Sequence, residues 1–283
     1  EVNEEKKHPL DFALWKKAKD DVKVWDSPWG KGWPGWHIEC SAMSINNLGN
    51  RIDIHGGGTD LVFPHHENEI AQSEAGTGDK PFVKYWLHNG TVNIKGEKMS
   101  KSLGNFFTTR ELLKKFEPEA IRYFLLTKHY HNPIDFSLEE IKSSSKGLNK
   151  LLNTSKHLKN VLAKDFEDGN EEIETETDLS EKIKLRRQQF EKAMDDDFNT
   201  AEAIGVLNEF SKDINSFIYD TDLILNQNTK SILKKADNLL NQIFDILGIN
   251  IDSGTKEKPK DQIFDRLVEY ILSIREDARE EQN

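Results

Sequence analysis

The pattern of the sequence changes near residue 105, and this change limits the folds that the chain can adopt. Before it, short apolar runs such as "RIDIHGGG" and "KYWLHNGTVNI" predict strands. After it, apolar residues recur with the period of a helix, most clearly in the stripe from Ile232 to Leu247, which Gly248 ends as a C-cap. The sequence therefore predicts a mixed α/β part followed by an all-helical part.

Helix-start signals refine this layout. Three pairs of residues have the spacing of a capping box or of its looser form: Thr108 with Glu111, Ser137 with Glu140, and Asn199 with Glu202. Near the start of the chain, "DFALWKKAKDD" predicts an amphipathic helix from Asp11 onward. We expect an α/β domain over residues 1–105, a helical connector over 106–150 and a helical bundle over 151–283.

Charge and cysteine content narrow the class of protein. The 283 residues carry a net charge of -11, which argues against binding of nucleic acid by bulk positive charge but is compatible with a local basic face. The single cysteine, Cys40, excludes an internal disulfide. Because the sequence shows no signal-peptide pattern and no apolar stretch of membrane-spanning length, we expect a cytoplasmic protein without a membrane partner.

Cys40, His65 and Glu69 are candidate ligands of one metal ion. In a helix His65 and Glu69 lie four residues apart, so both side chains project from one face. Cys40, in "GWHIECSAM", offers a thiolate, and zinc accepts sulfur, nitrogen and oxygen ligands together. His66 and Glu67 would point elsewhere on the same helix. The alternative, from local spacing alone, is an isolated buried cysteine beside an ordinary capped helix.

Two further motifs indicate a nucleotide site. In "HGGGTD", His55 to Asp60, missing side chains would let a ligand approach the backbone and leave Asp60 free to bond a ribose hydroxyl, although a tight turn is the plainer explanation. In "EKMSKSLGN", Lys98 and Lys101 lie three residues apart beside serines. Mobile ammonium groups can neutralise charge on a polyphosphate, whereas the alternative is a solvated loop.

Tryptophans are dense around the candidate thiolate, in "KGWPGWHIECSAM". Aromatic side chains at this density are more typical of a core than of a ligand platform. Trp36 is still placed to form the wall of a small pocket, because it precedes Cys40 by one helical turn or two strand steps.

Taken together, these stretches resemble the cysteinyl-tRNA synthetases, a family of class I aminoacyl-tRNA synthetases. "KMSKS" alone is typical of class I synthetases broadly, whereas "WHIEC" followed by "FPHHENE" is far more restrictive. The matching segments cover most of residues 8–210 in the family's order, and they are "HPLDFALWK", "GWHIECSAM", "IHGGGTDLVFPHHENEIAQSEA", "YWLHNGTVNIKGEKMSKSLGNF", "PEAIRYFLLTKHY" and "KAMDDDFNTAEAIGVL".

The resemblance implies both a fold and a reaction. The fold would be part of a Rossmann-like α/β catalytic domain, followed by an all-α bundle of the anticodon-binding type. The reaction would be the ATP-dependent ligation of L-cysteine to tRNA(Cys) through cysteinyl-adenylate, with Mg²⁺. One Zn²⁺ per chain would bind the substrate thiolate, with protein ligands at Cys40, His65 and Glu69, and so distinguish cysteine from serine, which pocket shape alone does poorly.

The resemblance also implies roles for other residues. Trp36 and His55 would line the pocket for the cysteine side chain. Lys98 and Lys101 would be the catalytic lysines that stabilise the leaving pyrophosphate. The remaining residues expected at the substrate and ATP site are Gly56, Gly57, Gly58, Asp60, Ser100 and Ser102.

Two departures from the family pattern set a limit. The family's "HIGH" motif and a further cysteine ligand lie in an N-terminal half that this sequence lacks, and "HP" at His8 is not that motif. The final "REDAREEQN" falls inside what the resemblance implies is a helix. We therefore expect a fragment of a longer protein that does not aminoacylate tRNA by itself.

Two rival functions remain open. The mycothiol-pathway cysteine ligase resembles the same catalytic core but joins cysteine to an amino sugar, and the helical half with "AMDDDFNTAEA" favours the synthetase. A zinc-stabilised binding module would leave "KMSKS" and "HGGGTD" as coincidences. For tRNA, a basic face could form from Lys182, Lys184, Arg186 and Arg187, which could equally be only solvated, and the family suggests a monomer.

Overall fold

A computed structural model describes residues 6–18, 23–100, 104–168, 174–219 and 223–251. It divides into two compact units. The first comprises residues 1–106 with 130–136, and the second comprises residues 107–129 with 137–283. The α/β-then-helical order predicted from the sequence is confirmed, whereas the three-part division at residues 105 and 150 stays a prediction. Residues 252–283 of the predicted bundle lie outside the described ranges.

The first unit mixes short strands with two longer helices. Its elements are β1 (Trp15–Lys17), β2 (Gly32–Pro34), α1 (Trp36–Leu48), β3 (Ile52–Gly58), α2 (Glu67–Thr77), β4 (Val83–Asn89), β5 (Val92–Ile94), β6 (Glu97–Lys98) and β7 (Ile134–Asp135). A 3₁₀ turn (Thr59–Leu61) and a π-helical turn (Val62–His66) connect β3 to α2. The two strand-pattern runs of the sequence thus form β3, β4 and β5, as predicted.

The centre of this unit is a β–α–β arrangement. β3 and β4 pair in parallel, with Ile54 opposite Tyr85 and Gly58 opposite Asn89, and α2 lies between them in sequence. Parallel neighbours need such a crossover, and in α/β proteins it is usually a helix. Ile52, Phe82 and Val83 form the buried cluster beneath the pair. The carboxyl end of β3 therefore leads directly into the turn that carries the paired histidines.

The predicted N-terminal amphipathic helix is wrong. Trp15–Lys17 is instead strand β1, which pairs antiparallel with Gly32–Pro34. Tertiary pairing with β2 overrides the local periodicity, and the segment just before β1 lies against the residue that precedes α1. Gly35 donates its backbone N–H to the carbonyl of Leu14, and a side chain at Gly35 would collide with the carbonyl of Ala13. The glycine before "WHIEC" thus allows this close approach.

The second unit is helical. Its elements are α3 (Thr109–Leu112), α4 (Pro118–Leu126), α5 (Leu138–Leu162), α6 (Glu174–Asp195), α7 (Thr200–Ile218) and α8 (Gln227–Leu247). The predicted helix starts are confirmed, since the side chains of Thr108, Ser137 and Asn199 each accept a hydrogen bond from the backbone of the residue three positions later. Gly248 ends α8 in the left-handed conformation, also as predicted.

The core of the second unit comes from the apolar stripes of its long helices. Leu158, Leu207, Phe210, Leu233 and Phe244 are each fully buried within one cluster. The stripe predicted in α8 belongs to this cluster. Each helix is amphipathic, so packing of these faces, more than helix propensity, stabilises the bundle.

Three of the four residues considered for a basic face bind acceptors within the unit. Arg186 Nε donates to Asp213 of α7 over 2.8 Å, and Lys182 Nζ donates to Asp178 over 2.6 Å. Arg187 donates to Gln242 of α8 over 2.8 Å. These side chains therefore tie α6 to its neighbours, and much of their charge is already compensated.

No helix in the described part of the chain is long and apolar enough to span a membrane.

Candidate functional site

Three elements of the first unit bring titratable side chains together. Helix α1 presents Cys40 one turn after Trp36, so both side chains lie on one face. The π-helical turn before α2 presents His65, and α2 itself presents Glu69. The predicted helix thus begins at Glu67, two residues after His65, yet the side chains of His65 and Glu69 still meet. His65 and Glu69 are buried and Cys40 is half-buried.

Cys40, His65 and Glu69 can share one metal ion. One ligand atom from each, a thiol sulfur, an imidazole nitrogen and a carboxylate oxygen, lies within 4.8 Å of the other two. This set has the mixed sulfur, nitrogen and oxygen character that zinc accepts, and three protein ligands would leave a fourth position open. The trio proposed from sequence therefore does converge in space.

The environment of Glu69 fits a cation. Its side chain is completely buried, and Oε1 lies 2.8 Å from Nε2 of His65 while Oε2 lies 3.4 Å from Nε2 of His55. Neither oxygen accepts a hydrogen bond of acceptable geometry from any described residue. Buried carboxylate oxygens without donors are costly, and coordination of a metal ion would satisfy them.

His37 orients the imidazole of His65. The two Nδ1 atoms lie 2.7 Å apart, so one ring donates its proton to the other. If His65 is the donor, its Nε2 keeps a lone pair directed towards Glu69, as a metal ligand requires. Gln72 in turn holds α1 in place, because its amide donates to the His37 carbonyl over 2.5 Å. Trp36 covers the ring of His65 at a centroid distance of 4.1 Å.

A second histidine group lies beside the first. His66 is buried, and its Nδ1 lies 2.7 Å from Nε2 of His88 on β4. His55, His66 and Glu69 also have ligand atoms within 4.8 Å of one another, so they are a second possible metal group that shares Glu69. The expectation that His66 points elsewhere on the helix is therefore wrong, because His66 lies three residues before Glu69 and its ring meets that carboxylate. This second group lacks a sulfur ligand.

Burial favours the neutral forms of these groups. It raises the pKa of Glu69 to about 7, and it lowers the pKa of His66 to about 4 with further contributions from His55, His88 and His65. Burial also raises the pKa of Cys40, with the Glu69 carboxylate as the next cause. A bound cation would act in the opposite sense on the thiol and the carboxyl, since it favours their charged forms.

The glycine triplet lies at the carboxyl end of β3. Gly57 has no room for a side chain, because an added Cβ would lie 2.9 Å from Cε1 of His66 and 2.9 Å from Cδ1 of Leu61. Gly56 is exposed and Gly58 is half-buried at the strand end. The close approach at Gly57 is therefore to a side chain of the protein itself, whereas approach of a ligand to this backbone stays a prediction.

Asp60 and Lys98 bind each other. Nζ of Lys98 donates to Oδ2 of Asp60 over 2.8 Å, and this hydrogen bond is the main cause that lowers the pKa of Asp60. Both side chains are more than half exposed. Backbone N–H of Ser100 donates to Asn105 Oδ1 over 2.9 Å. Two residues predicted for the nucleotide site, Asp60 and Lys98, thus meet, and their roles stay a prediction. Lys101 and Ser102 lie outside the described residues.

A family match covers the part of the chain that contains this site. Residues 1–146, more than half of the chain, match the family described as tRNA synthetases class I (C) catalytic domain. The chain belongs to this family. In this class I synthetase chain, residues 189–252 also match the DALR domain.

Two similar curated proteins carry the same name, cysteine–tRNA ligase. The synthetase chain is 45% identical to a cysteine–tRNA ligase of Heliobacterium modesticaldum over 284 residues, which cover all of this chain and 59% of that protein. It is 46% identical to the cysteine–tRNA ligase of Thermococcus onnurineus, again over all of this chain and 58% of that protein. The chain thus spans about three fifths of the length of these relatives.

Solved structures of other class I synthetases share the fold. A leucyl-tRNA synthetase of Agrobacterium radiobacter K84, in a ternary complex with tRNA, aligns with a TM-score of 0.56 at 15% identity over 80% of this chain and 34% of that one. A methionyl-tRNA synthetase of Mycobacterium tuberculosis, bound to methionyl-adenylate, aligns with a TM-score of 0.54 at 18% identity over 69% of this chain and 41% of that one. At this identity the likeness shows the fold alone.

Sequence reasoning missed part of the site. It did not single out His37, Gln72 or His88, which the structure places against the predicted ligands. The sequence does show a high density of histidines in this region, because five of the nine lie between His37 and His88. A histidine cluster of this kind in a sequence indicates a shared site, but it does not say which ring contacts which.

Proposed function

We propose that this chain forms the amino-acid-selecting and nucleotide-binding part of an enzyme that ligates L-cysteine to tRNA(Cys) through cysteinyl-adenylate. The convergence of Cys40, His65 and Glu69 on one point is the observation that carries the proposal. The relatives named cysteine–tRNA ligase support the same substrate, and the DALR-domain match supports tRNA over the amino sugar of the mycothiol-pathway ligase.

The proposed selection depends on a soft metal. A Zn²⁺ held by Cys40, His65 and Glu69 would supply a contact that prefers a thiolate over a neutral hydroxyl. Serine would leave that contact unmade, in a site where shape alone distinguishes the two amino acids poorly. Trp36 and His55 would then enclose the substrate side chain. Trp36 already packs on His65, and His55 lies 3.4 Å from Glu69.

The proposed nucleotide site uses the carboxyl end of β3 and the loop that begins at Lys98. Asp60 would bind a ribose hydroxyl of ATP in addition to the hydrogen bond that its Oδ2 accepts from Lys98. Lys98 and Lys101 would face the phosphates with Mg²⁺, and the neighbouring Ser100 and Ser102 would belong to the same ATP-binding loop. Ligands in α/β proteins commonly bind at the carboxyl ends of parallel strands, and the parallel pair β3–β4 supplies such an edge here.

Cobalt substitution tests the proposal. The chain is loaded with Co²⁺, and its visible absorption is recorded as L-cysteine or L-serine is added. We expect cysteine to intensify the sulfur-to-cobalt charge-transfer band and to saturate, while serine leaves the spectrum unchanged. The control is Cys40→Ser, which should lose the band of the protein thiolate and most of the metal.

The rival functions give different outcomes. In a zinc-stabilised binding module the chain would bind cobalt but its spectrum would not respond to cysteine. A spectrum that responds equally to serine would contradict the proposed selection. Because the sequence holds no "HIGH" motif, we expect no cysteine-dependent pyrophosphate exchange by this chain alone. We also expect the protein to be a monomer and to lie in the cytoplasm.

A further inference from the structure

Helix α5 has an unusual distribution of charge. Between Ile141 and Lys164 the sequence contains six lysines and no aspartate or glutamate, although the whole chain has a net charge of -11. Lys142, Lys146 and Lys150 follow each other at intervals of four residues, so they lie on one face of the helix. All three are exposed. We call these three residues the lysine row.

The lysine row has no acidic partner within the described ranges. Four other basic side chains in the described part of this unit are paired with acidic ones, for example Arg186 with Asp213 and Lys212 with Glu209. The elements packed on α5 are α4, α7 and α8, and they meet its opposite, apolar face, where Leu148, Leu151 and Leu158 are buried. The first turn of α5 has two glutamates, and of these only Glu139 lies on the side of the lysine row. The positive charge of the row is therefore uncompensated along most of its length.

The rest of this face is polar and suits a charged, hydrated ligand. Exposed Asn153 and Asn160 continue this face, whereas Lys156, six residues beyond Lys150, lies about 120° around the helix from it. Successive members of the row are about 6 Å apart along the helix axis. Regularly spaced ammonium groups without a shape-specific pocket are typical of contacts to a polyphosphate backbone, which supplies most of the electrostatic affinity for nucleic acids.

We propose that the lysine row of α5 contacts the phosphate backbone of tRNA. Lys142, Lys146 and Lys150 would neutralise phosphates without reading bases, so they would contribute affinity and not sequence preference. The choice of RNA as the partner rests on the proposed function, while the site itself rests on the charge distribution. Lys142 and Lys146 lie at the end of the matched class I segment, residues 1–146, and Lys150 lies beyond it.

RNA binding by matched variants tests this surface. The probe is a fluorescein-labelled tRNA transcript with a cysteine anticodon, and its anisotropy is measured with the purified chain from 50 to 300 mM KCl. The variant is K142Q/K146Q/K150Q. The control is K192Q/K234Q/K235Q, which removes the same charge from exposed lysines of α6 and α8.

We expect the α5 variant to bind at least about tenfold more weakly at the lowest salt concentration, and the slope of log K against log salt to fall by about 2 to 3. The control variant should remain within about twofold of the unchanged chain, because affinity attributed to a backbone contact should depend on position and not on total charge. Circular dichroism verifies that both variants keep the helical unit folded.

Three outcomes would overturn the inference. One is equal weakening in both variants, which would indicate a general charge effect. Another is the absence of tRNA binding by the unchanged chain. The third is binding by the lysine row to vesicles of phosphatidylserine in preference to tRNA. None of these affects the cobalt experiment with cysteine, so failure of this surface is distinguishable from failure of the proposed amino-acid site.

Discussion

Glu69 combines complete burial with two oxygens that lack hydrogen-bond donors, which makes it the most costly side chain of the site without a cation. Its neighbour Glu67 is exposed on the first turn of the same helix. The two residues therefore offer a matched pair, because the same change at each position alters either a buried ligand or a solvated surface charge.

We predict that Glu69→Gln strongly weakens zinc binding while Glu67→Gln does not. An amide keeps the shape of the side chain but removes the charge that a divalent ion needs, so affinity should fall by at least about tenfold, as it does when even supporting groups of a metal ligand are changed. Zinc content after dialysis against a competing chelator measures this. Equal zinc retention in both variants would contradict the assignment.

His37 should act as a positioning residue for the metal. Its Nδ1 lies 2.7 Å from Nδ1 of His65, so removal of the imidazole frees the ring of the ligand to rotate. We predict that His37→Phe, which keeps an aromatic ring beside Trp36, lowers zinc affinity by about 10- to 100-fold.

The His37 prediction has two readouts. His37→Asn restores a group that can hydrogen-bond to His65, and it should recover part of the lost affinity. The cobalt spectrum of His37→Phe should keep its thiolate band, since Cys40 is unchanged. An affinity that stays the same in both variants would show that His65 does not need this hydrogen bond.

At the scale of single residues, sequence reasoning identified the ligand types and not their surroundings. Cys40, His65 and Glu69 could be selected because zinc chemistry restricts the possible side chains and because two of them are close in sequence. The hydrogen bonds of His37, Gln72 and His88 join segments 22 to 35 residues apart, and no local pattern encodes such contacts.

Helices α6 and α7 are joined by an ion pair that is largely protected from water. The side chains of Arg186 and Asp213 are only 17% and 12% exposed, and Arg186 Nε donates to Asp213 over 2.8 Å. Removing one member of such a pair leaves the other desolvated without compensation. The interaction therefore contributes more than the exposed pair of Lys212 with Glu209.

We predict that Asp213→Asn lowers the free energy of unfolding of the helical unit by roughly 1–3 kcal/mol. Glu209→Gln, on the same helix, should leave the urea midpoint unchanged because its partner stays solvated. Urea titrations followed by circular dichroism at 222 nm test both variants. A stability loss of equal size in the two would show that burial of the Arg186 pair is not the cause.

Prediction from sequence differed in success between elements. Long amphipathic helices such as α8, with its apolar stripe and its C-cap Gly248, were predictable because their signals are local and repeated. Strand β1 was not, since Trp15–Lys17 becomes a strand through pairing with Gly32–Pro34, and a three-residue strand has too few positions to show a period of two. The short apolar run of "DFALWKK", which two lysines follow, fits either structure.

For the molecule as a whole, optical signals separate the two units. All six tryptophans lie in the first unit, whereas the second holds the four longest helices, α5 to α8. Tryptophan fluorescence therefore reports the unit with the proposed metal site, and ellipticity at 222 nm is dominated by the helical unit.

We predict that zinc stabilises the first unit selectively. At a free zinc concentration about 100 times the dissociation constant, binding to the folded state adds about 2.7 kcal/mol. The fluorescence-detected unfolding transition should therefore shift to higher urea concentration, and excess EDTA should reverse the shift. The transition at 222 nm should keep a main component that does not respond to zinc. Shifts of the same size in both signals would contradict a metal site confined to the first unit.

Gly57 lies so close to the ring of His66 that a side chain would not fit between them. Only a hydrogen at this position leaves space for the ring of His66, so the two positions are sterically linked. A homologue with alanine at the position of Gly57 should also carry a residue smaller than histidine at the position of His66. The two exchanges should appear together in an alignment. Such covariation would distinguish glycines kept for an internal imidazole from glycines kept for a bound nucleotide.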